Sequence, residues 1–224
     1  MDLFSYLLGK KSSSSGGGGG GGLNWSQIGY NDAPQSIING YNYAKNIYDN
    51  WDATQTNLSS KYYQDYLIEY FPLVDTSKVT NVTSMFSGCS KLSYVPALTL
   101  SVSSFQELFY NCYALDYVDT SNWNTSNTTN FYRLFANCRG LTEIDMSNIN
   151  APNLTDIRQM FDGCTNLKKL DIRKFEFSNS ITMTMNVFRN IPTDCLILVK
   201  DQTAKDWILA IRSDLTNIQI ASEY

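Results

Sequence analysis

Met85-Phe86-Ser87-Gly88-Cys89, Leu108-Phe109-Tyr110-Asn111-Cys112, Leu134-Phe135-Ala136-Asn137-Cys138 and Met160-Phe161-Asp162-Gly163-Cys164 are one phrase written four times. The cysteines stand 23, 26 and 26 residues apart. A unit that short cannot bury its own apolar face, so the copies are expected to stack on one another. A degraded fifth copy holds Val187-Phe188 and has no cysteine three residues later.

Around each phrase the apolar residues recur every third position. Val79/Val82/Met85, Val102/Phe105/Leu108, Phe131/Leu134 and Leu154/Ile157/Met160 precede the phenylalanines. That spacing predicts a short helix with one buried stripe in the first half of each repeat. Leu92/Val95, Leu115/Val118, Leu141/Ile144 and Leu167/Leu170 follow the cysteines and predict a brief strand. The expected fold is an α/β solenoid of leucine-rich repeats, one short helix plus one short strand per repeat, with a helical cap before it and a strand-helix-strand cap after it. Trp123, Ile149 and Phe175 mark equivalent corners and are expected to pack along one edge.

The repeats divide the chain into four expected parts: residues 1–22, 23–71, 72–195 and 196–224. In the first, Leu3, Phe4, Tyr6, Leu7 and Leu8 form an apolar tip on a tether that ends in seven consecutive glycines, Gly16–Gly22. A greasy tip on a flexible tether reads as a docking peptide. In the second part, Ile37, Tyr41, Ala44, Tyr48 and Trp51 recur at steps of four and three. This seam suits either a helix covering the first repeat or self-association into a homo-oligomer. Tyr66 to Val74 reads as an extended strand. In the last part, Leu196–Val199 is an expected strand, Asp201 an N-cap, Ala204–Ile211 a helix with Trp207, Ile208 and Ile211 inward, and Ile218 with Ile220 a final strand.

Chemistry is sparse. The chain has no histidine, which removes the commonest general base and metal ligand. Four of its five cysteines follow a buried stripe, which suits packing rather than disulfides, metal or catalysis. The glycine tract lacks the Gly-Lys-Ser/Thr of a phosphate loop. Neither catalytic residues, a cofactor nor a metal is expected. Asp75, Asp119, Asp145 and Asp171 are repeat-equivalent; they are read as turn-capping acids, with a cation array as the alternative. Strand alternation turns Tyr94, Tyr117, Glu143 and Lys169 outward, as a candidate ligand face or an ordinary solvated one. A net charge of −4 with 17 Lys+Arg argues against nucleic acid as a partner. No run reaches the length of a membrane span, and Met1-Asp2-Leu3-Phe4 does not open like a secretion signal.

The phrase, continued as Val118-Asp119-Thr120-Ser121-Asn122-Trp123-Asn124-Thr125-Ser126 and heralded by Pro72-Leu73-Val74-Asp75-Thr76-Ser77, resembles the BspA-like leucine-rich-repeat surface proteins. The start, Met-x-Leu-Phe-x-Tyr-Leu-Leu followed by lysine and a glycine tract, is similar to virion proteins of gut bacteriophages, of head- or tail-fibre type. Together these resemblances imply a non-catalytic virion protein. It would be anchored to other virion proteins by its N-terminus and present its repeats to a host-surface glycan or protein. A bacterial cell-surface adhesin is the alternative, and a polysaccharide depolymerase a more distant one.

Overall fold

The computed structural model describes residues 35–177 and 180–221. Its elements are helix α1 (Gln35–Asp49), strands β1 (Tyr94–Val95), β2 (Tyr117–Val118), β3 (Glu143–Asp145), β4 (Lys169–Asp171) and β5 (Leu196–Val199), helix α2 (Gln202–Ile211) and strand β6 (Ile218–Ile220). β1 and β2 pair in one parallel sheet; β3, β4, β5 and β6 pair in that order in a second. The fold is therefore mixed α/β with few helices. The expected α/β solenoid, with a helix and a strand in every repeat, is overturned. The described residues contain two helices, neither inside a repeat, and their strands fall into two small parallel sheets.

What replaces the expected helices is a ribbon of tight turns. Two residues four apart take a positive φ in every copy, from +53° to +62° at Ser84, Glu107, Asn111, Arg133, Asn137 and Gln159 and +80° and +76° at Gly88 and Gly163. An α-helix tolerates no such residue. Instead the amides alternate. Met85, Ser87 and Cys89 donate three residues back, to Val82, Ser84 and Phe86, whereas Ser84, Phe86 and Gly88 donate to Gln106, Leu108 and Tyr110 of the next copy. The same alternation joins Glu107, Phe109 and Asn111 to Tyr132, Leu134 and Ala136, and so on down the chain. Apolar spacing of three suits this ribbon as well as it suits a helical stripe.

The ribbon also reveals an earlier copy. Leu58, Ser60, Tyr62 and Gln64 donate to the carbonyls of Asn81, Thr83, Met85 and Ser87. Ser60 and Gln64 have the same positive φ. Tyr62 stands where the others have Phe, and Asp65 where they have Cys. The extended strand expected over Tyr66–Val74 is absent apart from the single bridge of Tyr70 to Tyr94.

Stacking the ribbons aligns one ring per copy. Tyr62, Phe86, Phe109, Phe135, Phe161 and Phe188 form a column with successive centroids 5.6–6.2 Å apart and planes within 13° of parallel. Trp123 stacks on Phe105 at 4.6 Å, and Ile149 and Phe175 are buried too, so the corner residues belong to the core. At the far end Asp201 caps α2 by accepting from the Ala204 amide. The helix buries Ala204 and Ile208 and lays Trp207 on Phe177. Ile211, expected inward, is exposed, because it falls in the last turn past the covered face.

Two substitutions test the ribbon. Phe135→Ala removes a fully buried ring from the middle of the column and is expected to cost about 3–5 kcal/mol in denaturant unfolding. Gly163→Ala places a Cβ 2.2 Å from Asn137 Oδ1 at a φ of +76° and is expected to cost about 1–2 kcal/mol. An unchanged midpoint in either variant contradicts the ribbon geometry.

Candidate functional site

The outward strand positions come together in two pairs. Tyr94 lies opposite Tyr117 in the β1–β2 register, and their rings stack at 5.3 Å with planes 9° apart. Glu143 lies opposite Lys169 in the β3–β4 register, with Lys169 Nζ 3.6 Å from the carboxylate. These short strands form because each has one inward apolar residue, Val95, Val118, Ile144 or Leu170, anchored in the core. Period two then turns the preceding residue to solvent. Tyr117 and Glu143 are exposed, Tyr94 and Lys169 half-buried. Burial, with the Tyr117 and Asp119 charges behind it, pushes the Tyr94 phenol up to about 12, and burial raises Tyr117 as well. The expected single row of four is thus an aromatic pair on one sheet beside an ion pair on the next.

The acidic column is occupied by its own turns. Asp75, Asp119 and Asp145 each accept, through Oδ1, the amide two residues on, at 2.9 Å from Ser77, Ser121 and Ser147. Asp171 does the same with Arg173 and also binds its guanidinium. These are Asx turns. Hydrogen bonds from Ser77 hold Asp75 below the usual carboxylate range.

The cysteines do more than fill space. Four of the five thiols donate to the carbonyl of the ring-bearing residue one copy earlier: Cys89 to Tyr62 at 2.8 Å, Cys112 to Phe86 at 3.0 Å, Cys138 to Phe109 and Cys164 to Phe135 at 3.1 Å. Burial pushes the Cys89, Cys164 and Cys195 thiols up to about 12 and raises Cys112 and Cys138 well above their ordinary value. Thiolates are the reactive form, so this column is inert. Arg212 takes over at the end of the chain, donating to the carbonyls of Phe188 and Ile191.

The seam of α1 is partly used up within the chain. Tyr41 and Ala44 are buried, Trp51 packs edge-on against Phe71 at 5.9 Å, and Tyr48 is exposed. Ile37 lies within α1. Off the seam, Tyr43 donates to Asp65, the residue that replaces the cysteine of the first copy. The docking residues Leu3, Phe4, Tyr6, Leu7 and Leu8 lie outside the described residues.

A second polar surface runs along the ribbon. Arg133 sits 5.0 Å from the Tyr110 ring and 4.8 Å from the Tyr132 ring, and Arg158 lies 5.0 Å from the Tyr132 ring as well. Arg133 also binds Glu107 and Gln159 at 3.3 and 2.8 Å. Aligning the copies on their phenylalanines finds this file, because Ser84, Glu107, Arg133 and Gln159 all stand two residues before the ring.

A protein-family profile described as "Mycoplasma protein of unknown function, DUF285" matches residues 35–97 and 97–193. No curated protein and no solved structure matches the chain. Among the described residues no helix is long and apolar enough to cross a membrane.

The thiol column predicts both reactivity and pH dependence. At pH 8 a thiol-specific dye should leave all five cysteines of the folded chain unlabelled and label all five after unfolding. Their ordinary value is near 9, and that of Tyr62 and Tyr94, also raised to about 12, is near 10. Below about pH 8 these groups are protonated in both states and add no pH dependence to stability. Above it the unfolded chain sheds protons that the fold retains, so stability should fall as pH rises toward 12. Denaturant midpoints between pH 8 and 11 check the sign.

Proposed function

The chain belongs to the DUF285 family, Mycoplasma proteins of unknown function, and on that premise we propose that it is a non-catalytic binding protein whose repeats present the Tyr94–Tyr117 and Glu143–Lys169 face to a host-surface glycan or protein. The observation that carries this reading is the stacked tyrosine pair held on backbone-paired strands. Two parallel, stacked rings over a rigid core offer apolar contact area at little entropic cost. The adjacent ion pair adds a donor and an acceptor of fixed spacing. Against a depolymerase stands the commitment of the repeat aspartates to their own turns, since glycoside cleavage needs two carboxyls free to face a sugar.

The proposed setting is a bacteriophage virion, as a fibre or particle-decorating subunit assembled in the host cytoplasm. The likeness of residues 1–22 to phage fibre proteins and of the repeats to BspA-like surface proteins supports it. Leu3, Phe4, Tyr6, Leu7 and Leu8 would then dock on other virion proteins. The family's description as Mycoplasma proteins favours a second reading, a bacterial cell-surface adhesin using the same face.

Two experiments test the proposal. Tyr94→Ala with Tyr117→Ala should weaken retention on the surface polysaccharide and protein fractions of the host bacterium by roughly tenfold or more, with thermal stability held within a few degrees. Equal retention sinks the face. Mass spectrometry of purified particles should find the chain, and deletion of Met1–Gly9 should abolish its incorporation while leaving the repeats folded. Absence of the full chain from particles refutes the virion setting, and normal incorporation of the truncated chain refutes docking through that peptide.

A further inference from the structure

The ribbons pair in one direction only, and this leaves two unlike edges. Along the turn ribbon every internal copy gives amides forward and carbonyls backward, whereas the residues that open each ribbon donate the other way and the short strands opposite donate both ways. In the first copy the carbonyls of Asn57, Ser59, Lys61 and Tyr63 occupy the places of Asn81, Thr83, Met85 and Ser87, which accept within the fold. Among the described residues these four accept no hydrogen bond. In the last copy Thr184, Asn186, Phe188 and Asn190 occupy the places of Leu58, Ser60, Tyr62 and Gln64, which donate within the fold. Their amides find no acceptor among the described residues. Asn186 and Asn190 keep the positive φ of the other copies, so the edge has the conformation that pairing uses.

The helices at the two ends flank these edges without covering them. Asn57, Ser59, Lys61 and Tyr63 are exposed at one end; Met183, Met185, Arg189 and Asn190 are exposed at the other. A cleft lined by Asn186, Phe188, Asn190, Ile211 and Arg212 runs beside the donor edge. The methionines supply an independent pointer. Position 183 is Asn57, Asn81, Ser104, Asn130 and Asp156 in the preceding copies, and position 185 is Ser59, Thr83, Gln106, Tyr132 and Arg158. Polar groups or tyrosine give way to bare methionine only in the copy with the open donor edge, where Met183 and Met185 are 45% and 60% exposed. Exposed methionine beside unpaired amides marks a surface meant to be covered.

We propose that the donor edge of one chain, Thr184–Asn190, pairs with the acceptor edge of a second copy, Asn57–Tyr63, in the register that joins neighbouring copies within a chain. The partner's Asn57 and Ser59 then cover Met183 and Met185, and its Tyr63 comes beside Arg189, the relation that Arg189 has to Asp162 inside the chain. The contact is heterologous, so each chain keeps one free edge of each kind and the assembly grows head to tail. The interface is small and the association correspondingly weak. It is independent of the ligand face and of the N-terminal docking peptide.

Sedimentation velocity of the full chain across a concentration series tests it. The wild type should form a concentration-dependent series of species. Met183→Lys with Met185→Lys blocks the donor edge, and Ser59→Lys with Tyr63→Lys blocks the acceptor edge. All four side chains are exposed, so melting temperature should be unchanged. Each blocked chain alone should stay monomeric to concentrations roughly tenfold above the wild-type midpoint. An equimolar mixture of the two should form a dimer and nothing larger, since one open edge of each kind remains. A monomeric wild type, association that survives either pair of substitutions, or a mixture without dimer overturns the proposal.

Discussion

One backbone hydrogen bond, repeated, sets the rest of this structure: the amide of every second ribbon residue reaching the carbonyl of the next copy. To turn alternate amides outward, the chain must enter the left-handed region twice per copy, at a cost of about 1–2 kcal/mol for each residue that is not glycine. Each ladder bond returns about 1 kcal/mol net, so bonds alone do not favour the ribbon. The balance comes from what the bonds align. They bring one aromatic ring per copy into register, and each stacked pair adds about 0.5–1.5 kcal/mol beyond the area it buries. They also set each thiol under the carbonyl of the preceding ring, so that the small residue between copies carries a hydrogen bond as well.

The same ladder builds the surfaces. Because copies are held in register on the ribbon side, the short strands opposite fall beside one another without needing length of their own. Two or three residues suffice to pair Tyr94 with Tyr117 and Glu143 with Lys169. Direction matters equally. A ribbon ladder that donates forward ends in a row of amides at one pole and a row of carbonyls at the other, and the caps leave both rows open while they close the ends of the thiol column. Arg212 supplies donors to the last ring-bearing carbonyl, and Tyr43 engages the aspartate that begins the cysteine column.

Much of this is legible in the residues. The Phe–Cys phrase gives the copy boundaries, the inward apolar positions and, by alternation, the outward pairs. The ribbon is less legible, since apolar residues three apart serve a helical stripe and a turn ribbon alike. The discriminating cue was the residue two places after each phenylalanine, Gly88, Asn111, Asn137 and Gly163, the types that accept positive φ. The first copy is hidden in the sequence because Tyr62 and Asp65 replace both letters of the phrase. The Arg133–Tyr110–Tyr132 file is not legible from periodicity, because left-handed residues redirect their neighbours' side chains in ways that neither helical nor strand spacing describes.

Hydrogen exchange on the dilute monomer, resolved to single amides, tests the directional ladder most directly. Arg133 and Asn137 donate to the next copy, whereas Asn186 and Asn190 stand at the same two positions with no copy beyond them. The ladder predicts that the first pair exchanges at least roughly a hundredfold more slowly than the second. Equal rates at the paired and unpaired positions would contradict it.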